Sequence, residues 1–152
     1  MTATTPLYIA SDHAGLHLKN ALVEYLPTVG FQAEDVGTYT GESCDYPDFA
    51  HRLCQKVLET GGKGILICGT GIGMSIAANR HEGIRAALCT HEFHAQATRA
   101  HNDANVLCLG ERVTAPGLAC LLARIFLTTA FEGGRHAGRI AKLALNTITA
   151  SK

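Results

Sequence analysis

Short apolar runs alternate along the chain with segments in which apolar residues recur at helical spacing. Each apolar run has the length of a strand, and the runs occupy positions 7–11, 31–36, 65–68, 84–89 and 106–109. From Leu16 to Leu26 the apolar positions recur every three or four residues, as on the buried face of an amphipathic helix. Similar patterns predict further helices at 47–60, 71–79, 92–99, 118–129 and 139–150.

This alternation predicts parallel strands joined by right-handed crossovers. We therefore expect an α/β protein with a Rossmann-like, doubly wound, five-stranded parallel sheet and helices on both faces. The length of 152 residues is that of one domain. Within it, residues 1–6 are expected to form a flexible extension. The C-terminal helix at 139–150 has an apolar stripe suited to packing on its own core or on a partner subunit.

Composition and charge exclude several classes of protein. Lys and Arg together number 13, as do Asp and Glu, so bulk charge offers no general attraction to nucleic acid or acidic membranes. No uncharged apolar run approaches the roughly 20 residues of a membrane helix, and no basic leader precedes the first apolar run. Six cysteines without a CxxC pair indicate free thiols in a reducing compartment. A cytoplasmic protein without membrane or nucleic-acid partners is expected.

Polar residues and glycines follow the predicted strands at the point where each strand ends. Sheets of this class bind ligands beyond the carboxyl ends of their strands, where the strand order reverses. Asp12 and His13 follow the first strand, residues 68–73 close the third, and residues 110–112 follow the fifth. The sequence therefore predicts a ligand site at this edge of the sheet.

The glycine-rich turn after the third strand is the sharpest of these signals. Gly69, Gly71 and Gly73 alternate with Thr70 and Ile72 just before a helix. Glycines allow backbone amides to approach a ligand, and the helix directs its positive end there, so an anion is expected. The turn is neither a P-loop nor a G-x-G-x-x-G motif. Tight packing of helix on strand would account for the same glycines.

Several side chains near these turns have two interpretations. A thiol at Cys68, beside a helix N-terminus, favours the thiolate form and so a base or nucleophile, but such a cysteine can also be inert. Asp12 and His13 suit ligand hydroxyls or proton transfer, although Asp12 can equally cap the following helix.

The same ambiguity applies to two later segments. His101 and Asn102 either serve a ligand, with His101 as a general acid near neutral pH, or belong to a simple turn. Arg135 and Arg139 are four residues apart and share one helix face, as a phosphate clamp or as solvated surface residues. The other histidines form no pair with a metal-site context, so neither a metal nor a cofactor is expected.

In combination, seven segments resemble the sugar-phosphate isomerase family that contains type B ribose-5-phosphate isomerases and the galactose-6-phosphate isomerase subunits. The segments are residues 11–15, 45–50, 64–79, 83–86, 99–105, 110–112 and 131–136. They extend from the first strand to the last helix. The resemblance implies a metal-free, cofactor-independent interconversion of ribose 5-phosphate and ribulose 5-phosphate through a cis-enediolate, in the pentose phosphate pathway.

The resemblance also implies roles for individual residues. Cys68 becomes the base that moves a proton between C1 and C2, because Ser75 stands where some relatives carry an acid. Thr70 would hydrogen-bond near the thiol, and the amides of Gly69, Thr70, Gly71, Ile72 and Gly73 would stabilise the enediolate oxygen. His101 would open the furanose ring, oriented by Asp45. Sugar hydroxyls would be held by Asp12 and Asn102, and the phosphate by His13, Arg112, Arg135 and Arg139.

The resemblance further implies a homodimer or homotetramer in which two subunits complete each active site. Three other functions stay open. The first is isomerisation of a six-carbon sugar phosphate, such as allose or galactose 6-phosphate. The others are a non-catalytic nucleotide-binding module and a flavodoxin-like regulator that binds a partner protein.

Overall fold

The computed structural model describes residues 5–145 and contains one five-stranded sheet. Its strands are β1 (Leu7–Ser11), β2 (Glu34–Asp35), β3 (Lys63–Cys68), β4 (Ala86–Leu88) and β5 (Val106–Gly110). All four pairings are parallel, in the order β2-β1-β3-β5-β4. The predicted fold class, a Rossmann-like doubly wound sheet, is confirmed.

Six helices flank the sheet. They are α1 (Leu16–Tyr25), α2 (Tyr46–Thr60), α3 (Ile72–Ala78), α4 (Glu92–Ala100), α5 (Pro116–Thr128) and α6 (Arg135–Ala141). Short 3₁₀ turns precede and follow α1, at His13–Gly15 and Leu26–Val29. In the part of the chain that the structure describes, no helix has the length and apolar character needed to cross a membrane.

The two-residue period of the strands divides the core into two layers. Ile65 and Ile67 of β3 pack on one face with α1, α4 and α5, where Phe126 is fully buried. Leu66 and Cys68 pack on the other face with α2 and α3. Because β3 is covered on both faces, its sequence reads as a continuous apolar run.

The two edge strands are shorter than predicted. The second strand, predicted at 31–36, contains only Glu34 and Asp35, because Phe31 instead donates its amide to the Leu26 carbonyl at 3.0 Å and ends a turn. The fourth, predicted at 84–89, contains only residues 86–88, since Ile84 donates to His81 in another turn. Edge strands have one pairing partner, so local turns compete more effectively with pairing.

The last helix also differs from its prediction. It begins at Arg135, directly after Gly134, and ends at Ala141. Leu143 then bonds to the Ile140 carbonyl in a tighter turn and is 62% exposed. Because Leu143 is largely exposed, its burial adds little to the stability of a further helical turn. The remainder of the predicted helix, from 146 onward, lies outside the described residues.

The predicted extension at 1–6 is only partly within the described residues. Residues 1–4 lie outside them, while the carbonyl of Pro6 accepts a hydrogen bond of 2.8 Å from the amide of Lys63. This bond attaches Pro6 to the start of β3, so at this residue the chain is held by the sheet.

The strand order locates the binding edge. The strands end at a carboxyl edge, which carries Ser11, Cys68 and Gly110, and begin at an opposite amino edge. From β1 the chain moves to β2 on one side and then to β3 on the other. The order therefore reverses between β1 and β3, where a doubly wound sheet opens a crevice at its carboxyl edge.

Candidate active site

Cys68 ends β3 at this crevice. It is 5% exposed, and its Sγ accepts a hydrogen bond of 3.1 Å from the amide of Gly71. The sulfur thus receives a main-chain donor from the glycine turn, as expected for an atom that carries negative charge during a reaction. This juxtaposition was predictable from the sequence because both partners belong to one short segment.

The backbone of the turn is packed too closely for side chains. Gly71 has a φ of +78°, and a Cβ there would lie 2.9 Å from the backbone of Leu109. A Cβ on Gly110 would lie 2.5 Å from the backbone of Thr70, and one on Gly73 would meet the Tyr46 ring at 2.7 Å. Tight packing and an anion cradle are therefore compatible, because the same glycines permit both.

Thr70 makes its hydrogen bond within the same turn as the thiol. Its Oγ1 accepts the amide of Ile72 at 3.2 Å, while the amide of Gly71 is the donor to the sulfur. The hydroxyl thus fixes the first turn of α3. Of the five amides predicted to face the enediolate, those of Gly71 and Ile72 thus donate hydrogen bonds within the turn.

Asp12 and His13 follow β1 at the same edge. One Asp12 carboxylate oxygen, Oδ1, accepts the amides of Ala14 and Gly15 at 3.0 and 3.1 Å, so the capping role is realised. Burial raises the pKa of the Asp12 carboxyl above its ordinary value, while His13, these two amides and Arg112 act to lower it. His13 accepts the amide of Cys44 on Nδ1 at 3.2 Å.

Arg112 completes this edge from the end of β5. Its amide donates to the Gly69 carbonyl at 3.0 Å, and its guanidinium lies within 3.2 Å of the position of a Cβ on Gly69. Next to it, the Glu111 carboxylate accepts the amide of Leu18 at 2.9 Å and ties α1 to this edge. The thiol cluster comprises Asp12, His13, residues 68–73 and Arg112.

A buried ion pair supports the loop beside the thiol cluster. Lys19 on α1 is fully buried, and its Nζ donates to both carboxylate oxygens of Asp35 at 2.7 Å. The same ammonium donates to the carbonyl of Thr38 at 2.6 Å. This pair fixes the chain after β2, where the Ser11 amide bonds to the Gly37 carbonyl.

A second group of candidate residues gathers at the other edge. His101 follows α4, and its ring stacks on that of His136 with centroids 4.5 Å apart and an angle of 14°. The Glu132 carboxylate lies 3.8 Å from Nε2 of His101 and 3.6 Å from Nε2 of His136. The imidazole cluster comprises these three residues with Arg135 and Arg139, which lie on α6 as predicted.

Asn102 belongs to the loop that carries His101. The Asn102 carbonyl accepts from Arg85 Nε at 3.0 Å, and the Arg85 amide donates to the Asn105 side chain at 2.8 Å. Asp103, with a φ of +44°, pairs with Arg85 at 3.3 Å. Arg85 therefore holds the loop in place, a role that the sequence pattern did not predict.

The two clusters lie at opposite edges of the sheet in one chain. His101 precedes β5, and the amide of Gly64, near the start of β3, bonds to the carbonyl of Asn105. Cys68 ends β3, six residues long, so the clusters are separated by about 20 Å of strand. Asp45, at the start of α2, stands at the carboxyl edge. Within one chain the carboxylate beside His101 is therefore that of Glu132, and the pairing of Asp45 with His101 stays a prediction for an assembly of two copies.

Three residues that contact these clusters, and one pair of histidines, were not predicted from the sequence pattern. Tyr46 is distant in sequence from Gly73, which its ring covers, and Glu132 lies 31 positions from His101. Glu111 bonds across 93 positions to Leu18. The sequence predicted no metal-site context for His51 and His81, and it gave no sign that their Nδ1 and Nε2 atoms lie 2.7 Å apart. A four-residue spacing between Glu132 and His136 was the one available signal.

Fold and site together define an α/β protein with a glycine-rich turn at the carboxyl edge of its sheet and a cysteine at the start of that turn. Residues 7–143 match the family model for Ribose/Galactose Isomerase, and the chain belongs to this family. It is 51% identical over 138 residues to YwlF of Bacillus subtilis, covering 90% of this chain and 93% of that protein.

Two further relatives carry a named activity. Ribose-5-phosphate isomerase B of Escherichia coli is 45% identical over 132 residues, which cover 85% of this chain and 87% of that protein. The crystal structure of ribose-5-phosphate isomerase B from Mycoplasma genitalium with bound ribulose-5-phosphate superposes with a TM-score of 0.90 at 40% identity. This superposition covers 98% of this chain and 99% of that one. These similarities do not favour the nucleotide-binding or regulatory alternatives.

Proposed function

We propose that this chain interconverts ribose 5-phosphate and ribulose 5-phosphate. The observation that carries the proposal is the sulfur of Cys68, which accepts the Gly71 amide at 3.1 Å beside the N-terminus of α3. Family membership and the named activity of the relatives support an isomerase of this substrate. They favour a five-carbon substrate over the six-carbon alternative.

The proposed chemistry moves one proton across one face of the sugar. The Cys68 thiolate takes the proton from C2 of the open-chain aldose, and the electrons of that C–H bond form the C1=C2 bond of a cis-enediolate. As the C1=C2 bond forms, the C1=O electron pair moves onto O1. The charge that develops on O1 is stabilised by main-chain amides of the glycine turn, which are positioned before the reaction begins. Since the amides of Gly71 and Ile72 donate within the turn, this role falls to those of Gly69, Thr70 and Gly73. A proton then passes from O2 to O1, the electrons left on O2 form the C2=O bond, and the thiol returns its proton to C1, which yields the ketose.

We infer that a second copy of the chain completes each site, in a homodimer or homotetramer. In this arrangement the thiol cluster of one copy meets the imidazole cluster of the other, where His101 opens the furanose ring. His13 and Arg112 then bind the phosphate together with the partner's Arg135 and the partner's Arg139. Asp12 and Asn102 hold hydroxyls, and Asp45 is brought to the ring-opening histidine.

Exposed apolar side chains near the carboxyl edge support this assembly. Ile72 and Ile76 on α3 are 51% and 61% exposed, and Phe93 and Val113 are 64% and 56% exposed. Apolar side chains of this size at one edge are typical of an interface.

All six cysteines are free, which supports the proposed cytoplasmic location.

A coupled assay with ribose, allose and galactose phosphates in parallel tests the substrate. We expect turnover of ribose 5-phosphate with a kcat/KM at least about tenfold above the six-carbon substrates, since one mispacked group in a pocket costs about 1–3 kcal/mol. Equal or greater turnover of a six-carbon phosphate would contradict the proposed substrate. A lack of turnover with all three would contradict the proposed activity.

Replacing Arg135 and Arg139 together with alanine is expected to raise KM more than it lowers kcat. Both guanidinium groups are assigned to the phosphate, which is bound equally in the ground state and in the transition state. The variant therefore loses binding energy that is common to both states, and this loss raises KM without lowering kcat. Steady-state kinetics with ribose 5-phosphate measure the two parameters. Arg124→Ala, on α5, is the matched control and should change neither. A fall in kcat at unchanged KM would remove the arginines from phosphate binding.

A further inference from the structure

Three side chains with metal-binding atoms converge in the imidazole cluster. His101, Glu132 and His136 each offer one ligand atom, and these atoms lie within 4.8 Å of one another. Two imidazoles and one carboxylate are a ligand set of catalytic zinc sites. We propose that these residues bind a divalent first-row transition ion such as Zn²⁺ and that the ion reversibly inhibits the enzyme. The inhibitory effect rests on the function proposed above, whereas the metal site does not.

Two of the three distances between the ligand atoms are close to those of such a site, and the third, between the imidazole nitrogens, is at most 4.8 Å. Nitrogen and oxygen ligands stand about 2.0–2.2 Å from Zn²⁺ in tetrahedral sites, which places two ligand atoms about 3.4 Å apart. Here the carboxylate of Glu132 lies 3.6 Å from one Nε2 and 3.8 Å from the other. The Glu132 and His101 side chains are 60% and 42% exposed, so rotation of the carboxylate and of the His101 ring directs the three ligand atoms to one ion.

The backbone holds the three residues in this arrangement. The amide of Glu132 donates to the Ala100 carbonyl at 3.0 Å, which attaches the segment before α6 to the end of α4. His101 donates its own amide to Ala97 at 2.8 Å. The His136 side chain is only 10% exposed and stacks on the His101 ring. The ligand set is therefore assembled before an ion arrives, which reduces the entropic cost of binding.

The charges around the cluster permit a cation. Glu132 offsets one positive charge of the ion directly. Arg135 and Arg139 follow on α6 and are both exposed, so solvent and salt screen their repulsion. Three protein ligands leave a fourth coordination position for water, as in open zinc sites.

An ion at this position opposes the proposed role of His101. An imidazole nitrogen that coordinates a metal cannot at the same time carry the proton that opens the furanose ring. Occupancy of the ion and productive binding of the sugar phosphate therefore exclude each other. Inhibition is expected to be competitive with ribose 5-phosphate and to disappear on addition of a chelator.

Titration of the full-length chain with Zn²⁺ in a calorimeter, and with Co²⁺ followed by visible absorption, tests the site directly. We expect one ion per chain at this site. Removal of outer-shell partners of a metal typically weakens binding about 10- to 100-fold, so Glu132→Gln, which removes a ligand, should weaken it at least tenfold. This substitution keeps the size of an exposed side chain, and a thermal melt verifies the fold.

Two control variants establish whether the ion occupies the imidazole cluster. His51→Ala removes the other close histidine pair, whose nitrogens are 2.7 Å apart, and should leave the affinity of the site unchanged. Cys68→Ala removes the proposed base, so Zn²⁺ binding by this variant is measured independently of activity, and that binding should still weaken at least tenfold when Glu132→Gln is added. An affinity that is unchanged by Glu132→Gln, or lost in His51→Ala, would overturn the site.

The inhibition has its own test. Zn²⁺ at the concentration that fills the site should raise the apparent KM for ribose 5-phosphate, with full recovery after a chelator. Full activity with the site occupied would overturn the inhibitory role. A chain that binds Zn²⁺ through Glu132 but isomerises no sugar phosphate would support the site and overturn both the inhibition and the proposed function.

Discussion

Cys68→Ala is expected to lower kcat for ribose 5-phosphate by about 10²- to 10⁴-fold, the factor that a positioned general base contributes. The sulfur is the proposed proton acceptor, and Ser75 offers no carboxylate that could replace it. Substrate binding should persist, because the phosphate and hydroxyl ligands belong to other residues. If the variant is inactive but ribose 5-phosphate raises its Tm as much as it raises that of the wild type, the variant has lost the chemical step and kept substrate binding.

Cys89→Ala is the matched control for this variant. Cys89 is also buried, at 1% exposure, in the helix-covered core. Burial raises the pKa of the Cys89 thiol to about 12, so it remains a protonated core residue near neutral pH. Its replacement should cost some stability without changing kcat. Turnover retained in Cys68→Ala would exclude Cys68 as the base.

The part of the thiol cluster at residues 68–73 could be predicted from sequence because it is one continuous segment. The apolar run at β3, the glycines of the turn and the start of α3 are consecutive, and each rests on a local rule of strand burial or helix geometry. The parallel sheet followed from the alternation of elements alone. Edge-strand lengths could not be predicted, because turns at Phe31 and Ile84 compete with pairing on a single side.

The separation of the two clusters depends on whether the chain runs from strand to helix or from helix to strand at each cluster, and not on residue type. In a parallel sheet, links from strand to helix lie at the carboxyl edge, and links from helix to strand lie at the amino edge. Asp12 and Arg112 occupy links of the first kind, whereas His101 occupies one of the second kind. Glu132 could not be predicted as its neighbour, since the contact joins residues 31 positions apart in the chain through tertiary packing.

Two inactive variants should recover activity when their subunits are exchanged. In the proposed assembly each site takes Cys68 from one copy and His101 from the other, since the two lie at opposite edges of one chain. Cys68→Ala and His101→Ala homo-oligomers are each expected to be nearly inactive. After unfolding and joint refolding, half of the dimers are mixed, and each mixed dimer has one intact site and one doubly altered site. The expected recovery is about one quarter of wild-type activity.

The doubly altered chain, Cys68→Ala with His101→Ala, provides the control. When this chain is refolded with an equal amount of wild type, half of the wild-type chains enter mixed dimers, in which neither site has both Cys68 and His101. The mixture should therefore keep about half of the activity that the wild-type subunits would show alone. Native mass spectrometry verifies the mixed oligomers and their size. If mixed oligomers form and activity stays absent, each site draws Cys68 and His101 from the same copy. The chain would then have to bend its two edges together, which a sheet buried on both faces does not permit.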